Sequence, residues 1–81
     1  MFEAFKIIKT IKKLVNDSGS IPGSLVTETE HLVKQKLYSI DEVAVMVVQV
    51  ALRSNYISRD NLTPRGETLI SEAEIVESNL E

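Results

Sequence analysis

Few residues of this chain have side chains that could carry out acid–base or metal chemistry. His31 is the single histidine and cysteine is absent, which excludes a His-rich metal site, a thiolate metal site and a cysteine nucleophile. Glu28 and Glu30 are close in sequence, but residues two apart on a helix point in different directions and do not form a carboxylate pair. The three glycines fit neither a phosphate-binding loop nor a dinucleotide fingerprint. We therefore expect no enzyme activity, no metal and no cofactor. His31 could act as a pH switch, although a surface histidine without a special role is the simpler interpretation.

The size and composition of the chain limit the classes of protein that it could belong to. Its 81 residues are enough for one small domain, and 43% hydrophobic with 26% charged residues is typical of a globular protein. Because no disulfide is available, stability must come from apolar burial or from self-association. The formal net charge of −3 argues against general nucleic-acid binding.

Positive charge is concentrated at the start of the chain. Residues 1–15 contain four lysines and one glutamate, for a formal charge of +3, whereas the remaining residues sum to −6. This basic segment either has a partner of its own or lies against an acidic helix of the same fold, and the sequence leaves both interpretations open.

The basic segment has the periodicity of an amphipathic helix over residues 1–15. Its apolar face consists of Ala4, Ile7, Ile8, Ile11, Leu14 and Val15. Such a helix can lie on an anionic membrane surface, dock in a groove of a partner protein or pack in a core. We expect the core for Ile7, Ile11 and Leu14. The candidate residues for binding a partner or a membrane lie opposite, and they are Phe2, Lys6, Lys9 and Lys13, with Lys12 at the boundary.

The second helix, predicted over residues 24–37, has the weakest pattern. Its apolar stripe is poor, and its start lies somewhere between Pro22 and Thr27. Either Ser24 caps it, or Thr27 caps it together with Glu30.

The third helix, predicted over residues 40–54, is apolar almost all round. Ser39 and Glu42 form a capping box at its start, and Asn55 is the expected left-handed terminator. The valines of residues 43–52 favour a strand by propensity, but the length and the cap favour a helix. A helix that is apolar on nearly every side must be buried on nearly every side. Either the other three helices enclose it or a second copy of the chain covers part of it.

The fourth helix is predicted over residues 64–79, with Thr63 as its cap and Pro64 at its first position. Its apolar residues recur at the alternating spacing of a packing seam, with Ile70 beside them. The whole chain is thus predicted to be one compact all-α domain of four helices with a buried, valine-rich third helix. We also expect a homo-oligomer, and the candidate interface residues from the last two helices are Val45, Val48, Leu52, Leu69, Val76 and Leu80.

No segment has the pattern of a signal peptide, and the longest apolar stretch, residues 43–52, is too short to cross a bilayer. We therefore expect a cytoplasmic protein, with peripheral contact to the inner membrane as a further option.

Residues 52–70 resemble the end of many winged-helix DNA-binding domains. Asn55-Tyr56-Ile57 is similar to the strand that follows the recognition helix there, and residues 62–66, Leu-Thr-Pro-Arg-Gly, are similar to the start of the next helix. The resemblance implies a DNA-binding transcription regulator as an alternative function. Two features depart from the family. Five residues between Ile57 and Thr63 are too few for a normal two-stranded wing, and the apolar third helix lacks the side chains that read bases.

The chain as a whole resembles the small accessory proteins of T-even bacteriophages. The resemblance rests on its size, its abundance of Lys, Ile, Asn and Ser, its lack of cysteine and its cationic amphipathic start. Among these proteins it resembles the small cytoplasmic lysis-inhibition proteins, or antiholins. This implies a regulatory protein of the host cytoplasm that binds the cytoplasmic segment of a phage holin and delays lysis. Because no motif is shared, the resemblance assigns no binding residue.

Overall fold

Four α-helices form the fold in the computed structural model, which describes residues 4–32 and 38–80, with side chains for residues 4–31 and 38–78. They are α1 (Ala4–Leu14), α2 (Gly23–Leu32), α3 (Ile40–Arg53) and α4 (Pro64–Leu80). Short 3₁₀ turns at Ser18–Ser20 and Arg59–Asn61 lie in two of the connections. No β-strand occurs in the described residues, and the predicted all-α class with four helices is confirmed.

The valine-rich α3 is the centre of the core. It packs against α1, α2 and α4. Its fully buried residues are Val43, Ala44, Val47, Val48 and Ala51. The predicted buried third helix is confirmed, and the three other helices of the same chain enclose most of its surface.

Local signals fix both ends of α3 as the sequence predicts. The Ser39 hydroxyl accepts from the Glu42 amide at 3.1 Å, and the Glu42 carboxylate accepts from the Ser39 amide at 3.1 Å. At the other end Asn55 has a left-handed backbone with φ of 63°. The amide of Tyr56 donates to the carbonyl of Ala51 at 2.9 Å, which is the six-to-one bond of a Schellman motif.

The other helices turn one side toward α3. Buried side chains from α1, α2 and α4 are Ile7, Ile11, Leu14, Val26 and Ile70, and the connections add Val15, Ile21, Ile57 and Leu62. The core positions predicted in α1 are confirmed. Ile8 is the exception on the predicted apolar face, since it is 37% exposed at the edge of that face, one turn before Lys12.

The helix α2 begins earlier than its capping patterns predict. It starts at Gly23, directly after Pro22, so Ser24 and Thr27 lie inside the helix and neither caps it. The Thr27 hydroxyl instead donates to the Gly23 carbonyl at 3.2 Å, one turn back. The predicted continuation over residues 33–37 lies outside the described residues.

The end of α1 and the start of α4 are joined through one threonine. The Thr63 hydroxyl donates to the Lys13 carbonyl at 2.6 Å and accepts from the Gly66 amide at 3.1 Å, while the Thr63 amide donates to the Leu14 carbonyl at 2.9 Å. Thr63 is therefore the predicted cap of α4, and it also satisfies carbonyls left free at the end of α1. Gly66 is needed here, because a Cβ atom would overlap the backbone carbonyl of Leu14.

This close approach predicts that Gly66→Ala destabilises the protein. The added methyl group has to displace backbone rather than a flexible side chain, so we expect a loss of about 1–3 kcal/mol in the free energy of unfolding, measured by urea denaturation. Gly23→Ala is the matched control, because nothing lies within 4 Å of a Cβ atom at that position. The control should leave stability unchanged or raise it by up to about 1 kcal/mol. Equal effects of the two substitutions would contradict the packing described for α1 and α4.

Candidate functional site

A basic face covers the outer side of α1. It consists of Lys6, Lys9, Lys12 and Lys13, which are all exposed, together with Phe5 and Ile8. Phe5 is 57% exposed, and its position one turn before Lys9 places it among the lysines. None of these lysines forms an ion pair with a carboxylate in the described part of the chain. Within the described residues, the lysines of α1 are therefore not paired directly with the carboxylates of another helix.

The candidate binding residues of α1 are only partly described. The structure places Lys6, Lys9 and Lys13 on this face, while Phe2 lies outside the described residues. The exposed aromatic residue that the structure does show on α1 is Phe5, which is not among the four predicted binding residues. The exposure of Phe5 could have been predicted from the sequence, because a phenylalanine one turn from Lys9 falls on the polar side of the helix.

The aliphatic side of α1 is not accessible. Ile7 and Leu14 are fully buried against the rest of the fold. A helix that lies on a membrane inserts its aliphatic side into the headgroup region. In this fold that side is used by the core, so among the described residues of α1 it is the lysines, Phe5 and Ile8 that remain for contact with a partner or a membrane surface.

A second surface lies between α3 and α4. We call it the acidic groove, with a volume of about 530 Å³. Its floor consists of Val45, Met46, Leu69, Ala73 and Val76; its rim carries Asp41, Glu42, Glu72 and Glu77; Tyr38 and Gln49 complete it. The groove is apolar at its base and negatively charged at its edges.

The candidate oligomer residues do not form one surface. Val45, Leu69 and Val76 line the acidic groove. Leu52 lines the neighbouring cleft between α3 and α4. Val48 is fully buried in the core, so its assignment to an interface is wrong. The side chain of Leu80 lies outside the described residues.

The side of α4 that packs in the core lies beside the predicted packing seam and does not coincide with it. Gly66 and Ile70 are buried, whereas Leu69 and Ala73 are half-buried and Val76 is 57% exposed. The reason is the close approach at Gly66, which rotates α4 so that the neighbouring stripe meets the core. The sequence could not reveal this rotation, because it depends on a contact with Leu14 that is distant along the chain.

Shortening a valine to alanine should have different effects on stability in the core and in the exposed stripe of α4. Val48→Ala should lower the free energy of unfolding by about 1–3 kcal/mol, since it removes buried methyl groups and leaves a cavity. Val76→Ala makes the same chemical change at an exposed position and should stay within about 0.5 kcal/mol. Thermal and urea unfolding of both variants provide the measurement. A larger loss for Val76→Ala than for Val48→Ala would show that the two residues have been assigned to the wrong surfaces.

The cleft beside the groove contains the ion pairs of the described structure. Arg59 bonds Glu74 and Glu67, each at 3.3 Å, and the hydrogen bond to Glu74 is the main cause that raises the pKa of Arg59. Gln49 donates to Glu77 at 3.1 Å, and these two residues line both the cleft and the groove. The arginine is exposed and ties the connection before α4 to that helix.

The segment that resembles a winged helix has a different structure. Arg59–Asn61 is a 3₁₀ turn, and the only β-type pairing near it is an isolated bridge between Val15 and Leu62. The helix in the place of the recognition helix is α3, whose centre is buried. These residues therefore do not form the wing that the resemblance implies, and residues 62–66 are explained by the junction of α4 with α1.

The described residues were also compared with the requirements of a metal site and of a membrane-spanning helix. They contain no group of three or more His, Asp or Glu residues that could hold a metal ion. His31 is exposed on α2. No described helix has the length and apolar character needed to pass through a membrane. Comparison with protein-family models, with curated proteins and with solved structures gave no match.

Proposed function

We propose that this chain is a small, non-enzymatic regulatory protein that acts by binding an acidic surface of another protein through the basic face of α1. The observation that carries the proposal is the set of four exposed lysines without a described ion pair, arranged around the exposed Phe5. An exposed aromatic residue can supply the apolar centre of an interface, and the lysines around it suit the polar rim.

The lysines and the aromatic residue have different roles in this proposal. Exposed lysine–carboxylate pairs contribute up to about 1 kcal/mol each, and they mainly raise the association rate and select for an acidic partner. Burial of Phe5 in a partner pocket supplies apolar contact area, the kind of anchor on which binding free energy concentrates. The rigid packing of α1 against α3 keeps both groups in place before binding.

The resemblance to lysis-inhibition proteins gives the proposal its most specific form. The partner is then the cytoplasmic segment of a phage holin, the protein works at the cytoplasmic face of the inner membrane, and binding delays lysis. The basic face also suits that location, because each lysine close to an anionic leaflet contributes on the order of 1 kcal/mol.

Charge reversal on the basic face tests this proposal. Lys6→Glu/Lys9→Glu should weaken binding to a purified holin cytoplasmic segment by about tenfold or more, since two attractive contacts become repulsive. Arg53→Glu/Arg65→Glu is the matched control: it has the same formal charge, and both arginines are exposed outside α1. The control should bind within about twofold of the unmodified protein. Isothermal titration calorimetry gives the affinities, and circular dichroism checks the fold.

Two further measurements distinguish the other classes of ligand. Equal binding of the two double variants would contradict a role for the basic face. Binding to anionic lipid vesicles but not to the holin segment would favour peripheral membrane attachment. Binding to duplex DNA that falls steeply with salt would favour the nucleic-acid alternative.

A further inference from the structure

The acidic groove exposes apolar side chains that α3 and α4 do not bury against each other. Val45, Met46, Leu69 and Ala73 are half-buried, and Val76 is 57% exposed. The volume of about 530 Å³ is within the range of protein sites that accept a ligand or a cluster of side chains. The floor is formed by residues of two α-helices rather than by loops.

The shape of the groove fits a helix. Its lining runs along α3 from Asp41 to Gln49 and along α4 from Leu69 to Glu77. Each of these stretches is about 12 Å long at the rise of an α-helix, or slightly more than two turns. A helix laid between two others places apolar anchors at positions i, i+3 or i+4, and i+7, which spans this length.

The charge of the groove selects the occupant. Its rim carries Asp41, Glu42, Glu72 and Glu77, and no basic side chain is among its described lining residues. Glu77 accepts from Gln49 and Glu42 accepts from the Ser39 amide, but none of the four pairs with a cation in the described residues. Within the described residues, the rim is therefore negative charge without a cationic partner around an apolar floor.

A second copy packed groove against groove would bring these carboxylates together. An interface with two-fold symmetry places the same patch on both sides, so both acidic rims would face one another and repel. A cationic occupant has the opposite effect, because its charges meet the rim while its apolar anchors cover the floor.

We propose that the acidic groove binds a cationic amphipathic helix of a partner protein, with leucine-like anchors on the floor and lysine or arginine side chains at the rim. This surface is opposite in charge to the basic face and does not depend on it. The chain would thus have two recognition surfaces, one for an acidic partner and one for a basic helix.

A model peptide tests this inference with the full-length protein. The probe is a fluorescent peptide of about four helical turns built from Leu and Lys at helical spacing, and its counterpart has Glu in place of Lys. Fluorescence anisotropy should show saturable binding of the lysine peptide, and at least about tenfold weaker binding of the glutamate peptide. The Lys6→Glu/Lys9→Glu protein should bind the lysine peptide at least as well as the unmodified chain, which separates this test from that of the basic face.

Two matched pairs of variants locate the site. Glu72→Lys should weaken binding about three- to tenfold, whereas Glu28→Lys, the same change at an exposed position on α2, should have little effect. Val76→Asp should weaken binding by about fivefold or more. Ile75→Asp is its control, since Ile75 is 61% exposed on the same helix but does not line the groove.

Several results would overturn the inference. Absence of saturable binding at low salt, equal binding of the two peptides, or equal loss in the variants and their controls would each do so. Sedimentation equilibrium of the protein alone tests whether a second copy of the chain occupies the groove. A dimer that the peptide dissociates and that Val76→Asp abolishes would assign the groove to a second copy of this chain instead.

Discussion

Enclosure of α3 is the constraint on which the rest of this structure depends. A chain of 81 residues without cysteine has few ways to gain stability, and the valine-rich helix supplies the apolar area that it needs. Complete burial of Val43, Val47 and Val48 requires helices on several sides. The other three helices are largely used for this purpose, so the surfaces left for a partner are their outer faces and the line where α3 and α4 meet.

The junction at Thr63 and Gly66 determines how those outer faces are presented. By bonding the last carbonyls of α1 to the first turn of α4, it fixes the rotation of both helices about their axes. This packing agrees with the amphipathic pattern of α1, with Ile7 and Leu14 inward and the lysines outward. It also turns Ile70 toward the core and leaves Val76 beside the groove. One packing contact thus positions both the basic face and the acidic groove.

The features that the sequence predicted correctly are those that depend on neighbouring residues. The capping box of Ser39, the left-handed Asn55 and the cap at Thr63 are local patterns, and the structure contains all three. Helical periodicity also identified the core side of α1, because its lysines leave a single apolar side. Composition alone indicated that α3 had to be buried.

The incorrect predictions concern contacts between distant parts of the chain. Val48 lies in the stretch of residues 43–52, where Gln49 is the one polar side chain, so periodicity gave little indication whether Val48 faces the core or a partner. On α4 Leu69 and Ile70 are adjacent apolar residues, and the one that is fully buried lies on the side where Gly66 approaches Leu14. The start of α2 at Gly23 lies within the predicted interval, but neither of the two predicted capping residues caps the helix. The acidic groove involves side chains from two helices, and only their packing brings its floor and rim together.

Native-state hydrogen exchange of the α3 amides tests the enclosure of this helix most directly. The account predicts that the amides of Val47, Val48 and Ala51 exchange only through global unfolding, so that their exchange free energy equals the unfolding free energy from urea denaturation. It also predicts that this protection does not change with protein concentration, because helices of the same chain provide the burial. Rapid exchange of these amides in the monomer, or protection that appears only on self-association, would contradict the account.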